Sequence, residues 1–163
     1  MTEAPACSGV GVVHEPFMRA AIDAARRGLL AGEPPVGACL VRDGDIIATS
    51  NNGVISDLDA TAHAEIRVIR EACRQQRALS LAGCTLYATV EPCLMCLTAC
   101  HYAGIGAVVF GASLDDMHAV TGNELHVPHA ALEQGGFNVV MTDACLRAEC
   151  AALLDEWSRH CRR

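Results

Sequence analysis

A three-layer α/β/α sandwich around a mixed five-stranded sheet is the architecture this sequence predicts, and three observations carry it. Apolar runs of strand length alternate with segments of helical periodicity along the chain. Two of those runs are joined by Arg42-Asp43-Gly44-Asp45, a hairpin signal, whereas the others are separated by helices, so the sheet must be mixed and covered on both faces. No repeat, linker or low-complexity tract interrupts the 163 residues, a length that suits one domain spanning 1–163, with 1–14 as a loosely ordered extension.

The elements can be justified in order. "EPFMRAAIDAARRGLLAG" sets Phe17, Ala20, Ala21, Ala24 and Ala25 at helical spacing and stops at glycine. "PVGACLVRDGDIIATSN" is the hairpin. "AHAEIRVIREACRQQRAL" reads as a second helix with Ile66, Ile69, Ala72 and Cys73 facing inward. "CTLYATV" is a strand, and "CLMCLTACHYAG" a helix ended by Gly104. "AVVFGA" and "NVVMT" are further strands, and "DACLRAECAALLDEWSRHC" closes the chain as a helix capped by Asp143. Ser113 to Ala130 reads as an irregular connection, long enough to suggest function.

Composition narrows what the chain can do. Hydrophobic residues make up 52% and charged residues 19%, which describes a globular chain. No apolar run approaches the ~18 residues of a membrane span. "MTEAPACSGVGVVHEP" lacks the basic start and apolar stretch of a signal peptide, so a cytoplasmic location is expected. The net charge is −7, from 12 basic and 19 acidic residues with no lysine, which disfavours nucleic acid as a partner.

Ten cysteines invite a disulfide reading, but a chain this long and this apolar needs no staples. Most lie in apolar stretches, where a free cysteine is a small buried hydrophobe. Two stand apart. Pro92-Cys93-Leu94-Met95-Cys96 falls where a strand hands over to a helix, and His63-Ala64-Glu65 begins thirty residues before Cys93. Two thiolates and a neutral imidazole make three zinc ligands and leave a fourth position for water, the donor set of a catalytic site. The first turn of a helix favours the anionic form of Cys93 and Cys96. Glu65 is then no ligand but a base for the activated water and a proton carrier to the substrate. A redox pair would need no H-x-E partner. Cys100, four residues after Cys96, reads as core, because a fourth protein ligand would close the site.

The motif pair, together with "GEPPVGACLV", "TAHAEI", "TLYATVEPCLMC" and "IGAVVFGA", resembles the cytidine-deaminase superfamily over roughly Pro16 to Trp157. The resemblance is to its His-Cys-Cys branch, which holds guanine, cytosine and tRNA adenosine deaminases. It implies one zinc ion per chain, a homodimer, and a base held by Asn52, eleven residues before His63. It also implies a contact from the Ala64 amide and a last helix that brings Trp157 over the pocket. The stretch "SLDDMHAVTGNEL" lacks the lysine and Gly-Ala pair of the tRNA-type enzymes and is similar to guanine deaminases.

A base edge presenting amino and N–H donors calls for a carboxylate acceptor, and Asp115 or Asp116 is the expected one. Stacking on the base would fall to Phe110, Trp157, His63 or one of His118, His126 and His129. The expected activity is zinc-dependent hydrolytic release of ammonia from a free base. Isocytosine or guanine stands first and cytosine next. A tRNA adenosine deaminase, a deaminase of another small heteroaromatic amine, and a non-catalytic zinc module closed by Cys100 are the alternatives.

Overall fold

Residues 14–161 are described by a computed structural model. Helix α1 (Glu15–Leu30) leads into strands β1 (Gly37–Arg42) and β2 (Asp45–Asn51), then helix α2 (Ala64–Gln76) and strand β3 (Cys84–Val90). Helix α3 (Leu94–Tyr102), strand β4 (Ala107–Ala112), helices α4 (Leu114–Thr121) and α5 (His129–Gln134), strand β5 (Val140–Thr142) and helix α6 (Arg147–Cys161) complete the described chain. The five strands form one sheet in the order β2-β1-β3-β4-β5. β1 runs antiparallel to both β2 and β3, whereas β3, β4 and β5 are parallel, so the sheet is mixed.

The hairpin turn is Asp43-Gly44, both with positive φ (53° and 86°), the conformation a two-residue turn requires and that Asp-Gly supplies. Helices α1 and α6 pack together over one part of the sheet, while α2 and α3 pack against each other. The central strands are buried along nearly their whole length, with Leu40 opposite Leu86 and Leu86 opposite Val108 across the ladders. Met18 and Ile22 of α1 and Leu153 and Leu154 of α6 belong to the same apolar core. Gly37 lets α1 seat directly on β1, because a Cβ there would collide with the Ala21 carbonyl and the Ala25 nitrogen.

Three local expectations change. Val68, with Ala64 and Ala72, forms the buried stripe of α2, while Ile66, Ile69 and Cys73 are only half-buried. The stripe follows i, i+4 spacing from Ala64, which sets the helix phase differently from the isoleucines. The segment from Ser113 is mostly helix, for Ser113 accepts the Asp116 amide and the Asp116 carboxylate accepts from Ser113, closing a capping box. Gly122, at φ 67°, then ends α4. Asp143 does not cap α6, because Ala144 and Leu146 adopt positive φ between it and Arg147. Of the expected N-terminal extension, 1–13 lie outside the described residues, and His14 is hydrogen-bonded to the Tyr87 hydroxyl at 2.9 Å. Among the described residues no helix is long and apolar enough to cross a membrane.

A candidate metal centre and active site

Helices α2 and α3 start beside one another, and their first residues build the site. His63 is the N-cap of α2 and Cys93 the N-cap of α3, both in extended backbone, with Cys96 buried in the first turn of α3. Two residues apart in a regular helix, His63 and Glu65 would diverge. Extended backbone at His63 removes the conflict by projecting the ring over the helix end.

His63 Nδ1 lies 3.7 Å from Cys93 Sγ and 3.5 Å from Cys96 Sγ, and the two sulfurs are 3.7 Å apart. Tetrahedral zinc with bonds of ~2.3 Å to sulfur and ~2.05 Å to nitrogen requires separations of ~3.8 Å between sulfurs and ~3.6 Å between sulfur and nitrogen. The three donors fit zinc by chemistry and by spacing, and they form the metal-type cluster of the described residues. The Cys96 thiol's hydrogen bond, aided by His63, lowers Cys93 to about 4, so the thiolate is the favoured form. Cys100 is outside the cluster, fully buried on α3, and burial pushes its thiol up to about 12. That is the behaviour of a packing residue.

Glu65, the second residue of α2, is 3% exposed, and its Oε2 has no hydrogen-bond partner among the described residues. A buried carboxylate oxygen without a partner is costly unless something else engages it. Burial raises the carboxyl to about 7, the range in which a group both takes and returns protons near neutral pH.

A cavity of about 300 Å³ opens in front of these residues. Asn52 and Val54 form one wall. The Asn52 side-chain oxygen accepts the Val54 amide at 2.9 Å, which leaves its amide nitrogen as the free, donating end. Leu114 and Met117 of α4 supply apolar surface, and Trp157 comes from α6. Three carboxylates line the cavity, Glu65, Glu91 and Glu124. Glu91 accepts the Leu114 amide at 2.9 Å and so fixes the start of α4. Glu124 sits on the loop after α4, where the Thr121 hydroxyl donates to its Oε1 at 2.8 Å and its own amide donates to His118 Nδ1 at 3.2 Å.

The expected carboxylates are elsewhere. Asp116 is occupied by the α4 cap and by Arg147 at 2.7 Å, and Asp115 is largely exposed and paired with His126 at 3.0 Å. Neither lines the cavity, because the helix that replaces the expected loop turns both outward. His118, His126, His129 and Phe110 also stand outside the lining, whereas Asn52, His63, Glu65, Cys93 and Trp157 are brought together. Ala64 opens α2, so its amide is one of those a helix leaves without an internal acceptor. Sequence reading missed Glu124, although Gly122 is the signal that α4 ends just before it.

When bound, zinc supplies a Lewis acid that brings a coordinated water's pKa to about 7. The Glu65 carboxylate, the Asn52 side chain, Trp157 and the α4 residues Leu114 and Met117 all face the space in front of that position.

A mixed five-stranded sheet that aims a His-Cys-Cys zinc centre and a buried glutamate into one cavity defines a zinc-dependent deaminase. The chain belongs to the cytidine and deoxycytidylate deaminase family, whose zinc-binding region matches residues 12–112. It is 36% identical over 151 residues to the tRNA-specific adenosine deaminase of Bacillus subtilis, covering 91% of each chain. It is 44% identical over 104 residues to the guanine deaminase of the same organism, covering 63% of this chain and 67% of that one. A solved guanine deaminase from Nitrosomonas europaea superposes with a TM-score of 0.81 at 26% identity, over 93% of this chain and 87% of the other.

Proposed function

We propose that this enzyme deaminates a small free base by hydrolysis, with a 2-amino-oxo base, guanine or isocytosine, as the preferred substrate and cytosine next. The observation that carries this reading is the charge of the cavity. Its lining holds three carboxylates and no arginine, and Trp157 of the chain's own last helix stands against it. A nucleic-acid loop needs cations to meet its phosphates. An uncharged base with adjacent N–H and amino donors needs an acceptor, and the Glu124 carboxylate is the one free enough to serve.

In this reading the Asn52 amide donates to a ring or carbonyl acceptor, Glu124 accepts from the donor edge, and the Ala64 amide meets the ring near the reacting carbon. Glu65 passes one proton of the water to the ring nitrogen and then the proton of the added hydroxyl to the departing amine, which leaves as ammonia. A homodimer is part of the proposal. Deamination of tRNA adenosine is the second reading, favoured by the full-length similarity to a tRNA-specific enzyme.

Ammonia release from guanine, isocytosine, cytosine, adenine and an anticodon stem-loop, with and without a zinc chelator, tests the choice. Chelator-sensitive turnover of a free base supports it. Turnover of the stem-loop alone overturns it.

A further inference from the structure

Among the described residues Glu33 is the second buried glutamate, 2% exposed and remote in sequence from every residue of the zinc centre. It lies between α1 and β1, directly before Pro34, which with Val36 lines the cavity. Its carboxylate accepts the Ile55 amide on Oε2 at 3.0 Å and the Ser56 amide on Oε1 at 2.7 Å, 22 and 23 residues further on. Those two amides belong to the turn that follows Asn52, and the same turn supplies the Val54 amide that occupies the Asn52 oxygen.

The rest of this corner is held just as closely. The Asn52 amide donates to the Val36 carbonyl at 2.9 Å and the Gly53 amide to the Ala62 carbonyl at 2.9 Å. Arg67 donates to the Asn51 carbonyl at 2.9 Å, and any side chain at Gly53 would run into its guanidinium. Each of these bonds fixes backbone. What decides which end of the Asn52 amide faces the cavity is the position of the Val54 N–H, and that position is set by the turn Glu33 clamps.

We infer that Glu33 is a positioning residue for substrate, holding the 54–56 turn so that Val54 occupies the Asn52 oxygen and Asn52 presents its amide nitrogen to the base. A carboxylate suits the task because two adjacent amides donate and both oxygens accept. Glutamine in its place would turn one acceptor into a donor facing an N–H. Glu33 touches neither zinc donors nor the Glu65 carboxylate in any bond described for it, so its loss acts on binding more than on the chemical step.

This inference rests on the deaminase reading of the cavity, and its test separates the two. The zinc-loaded full chain is assayed with guanine as wild type, Glu33→Gln, Asn52→Ala and the double variant, with zinc content measured on each. Glu33→Gln should raise KM about tenfold, the size of one lost charge-assisted hydrogen bond, while kcat stays within about threefold and zinc stays bound. In the Asn52→Ala background the same change should leave KM unaltered. An unchanged KM, or effects that multiply, overturns the role. Should the wild type release no ammonia from any base, it is the proposed activity that fails. Hydrogen exchange then decides Glu33 alone: faster exchange at Ile55 and Ser56 spreading to Val54 in Glu33→Gln supports the clamp, and unchanged exchange there overturns it.

Discussion

The Thr121 hydroxyl donates to Oε1 of Glu124 at 2.8 Å, and this bond sets where the loop carboxylate stands in the cavity. Glu124→Gln is expected to lower kcat/KM for guanine and isocytosine by about 10- to 100-fold through loss of a charge-assisted hydrogen bond. Cytosine, whose ring nitrogen beside the amine-bearing carbon carries no hydrogen where the others offer an N–H, should lose less. Thr121→Val should act in the same direction by about tenfold or less. Steady-state kinetics on the three bases check both.

Glu65→Gln should retain zinc and fold while losing activity by about 10²- to 10⁴-fold, the contribution of a positioned acid–base group. Metal analysis beside the rate makes the point. Loss of zinc in step with activity would mean that Glu65 supports the ligands and not the proton.

Cys93 and Cys100 separate the two fates of cysteine on one helix. Cys93→Ala should abolish stoichiometric zinc binding, and a chelator should lower the Tm of the wild type but not of this variant. Cys100→Ala should keep zinc and activity and cost about 1 kcal/mol of stability, a typical value for a small change in a packed interior.

Glu33 gives the protein an acid-sensitive element. Burial alone pushes its carboxyl up, but the Ile55 and Ser56 amides, the Ser56 hydroxyl and the Arg67 charge outweigh burial and hold it below the ordinary carboxylate range. A carboxyl depressed in the folded state adds stability above its unfolded pKa of about 4.3, and that stability is lost as pH falls through the lower folded value. Thermal melts from pH 7 to pH 3 should show Glu33→Gln less stable at neutral pH and converging on the wild type at the acid end. A constant gap across that range would contradict the assignment.

The parts of the site that could be read from the chain are those whose chemistry is local. His63, Glu65, Cys93 and Cys96 carry their meaning in spacing and in their place at helix starts. The alternation of strands and helices likewise produced the mixed sheet, since periodicity reports burial directly. What the sequence did not convey depended on direction. Asp115 and Asp116 were the right chemical type in the right segment, but a capping box turned that segment into a helix that points them away. Glu124 enters the cavity only because the chain reverses at Gly122. Glu33 was invisible because its partners are backbone amides two elements later, and no side-chain pattern marks a backbone donor. The phase of α2 differs for a related reason, for Ala64, Val68 and Ala72 are its buried apolar residues while Ile69 and Cys73 pack against the core only in part.

The family's zinc-binding region ends with β4 at residue 112, and the cavity does not. Asn52, His63, Glu65, Cys93 and Cys96 fall before that border, while Met117, Asn123, Glu124 and Trp157 fall after it. The zinc donors and Glu65 therefore lie inside the matched region, while part of the cavity lining lies beyond it. The later residues are joined to the earlier ones by the β4–β5 ladder, by Leu153 and Leu154 in the common core, and by side-chain bonds such as Glu91 to Leu114. Relatives of similar identity carry the names of a tRNA enzyme and of a guanine enzyme. A chimera joined after residue 112 would move preference, and not chemistry, from one lineage to another.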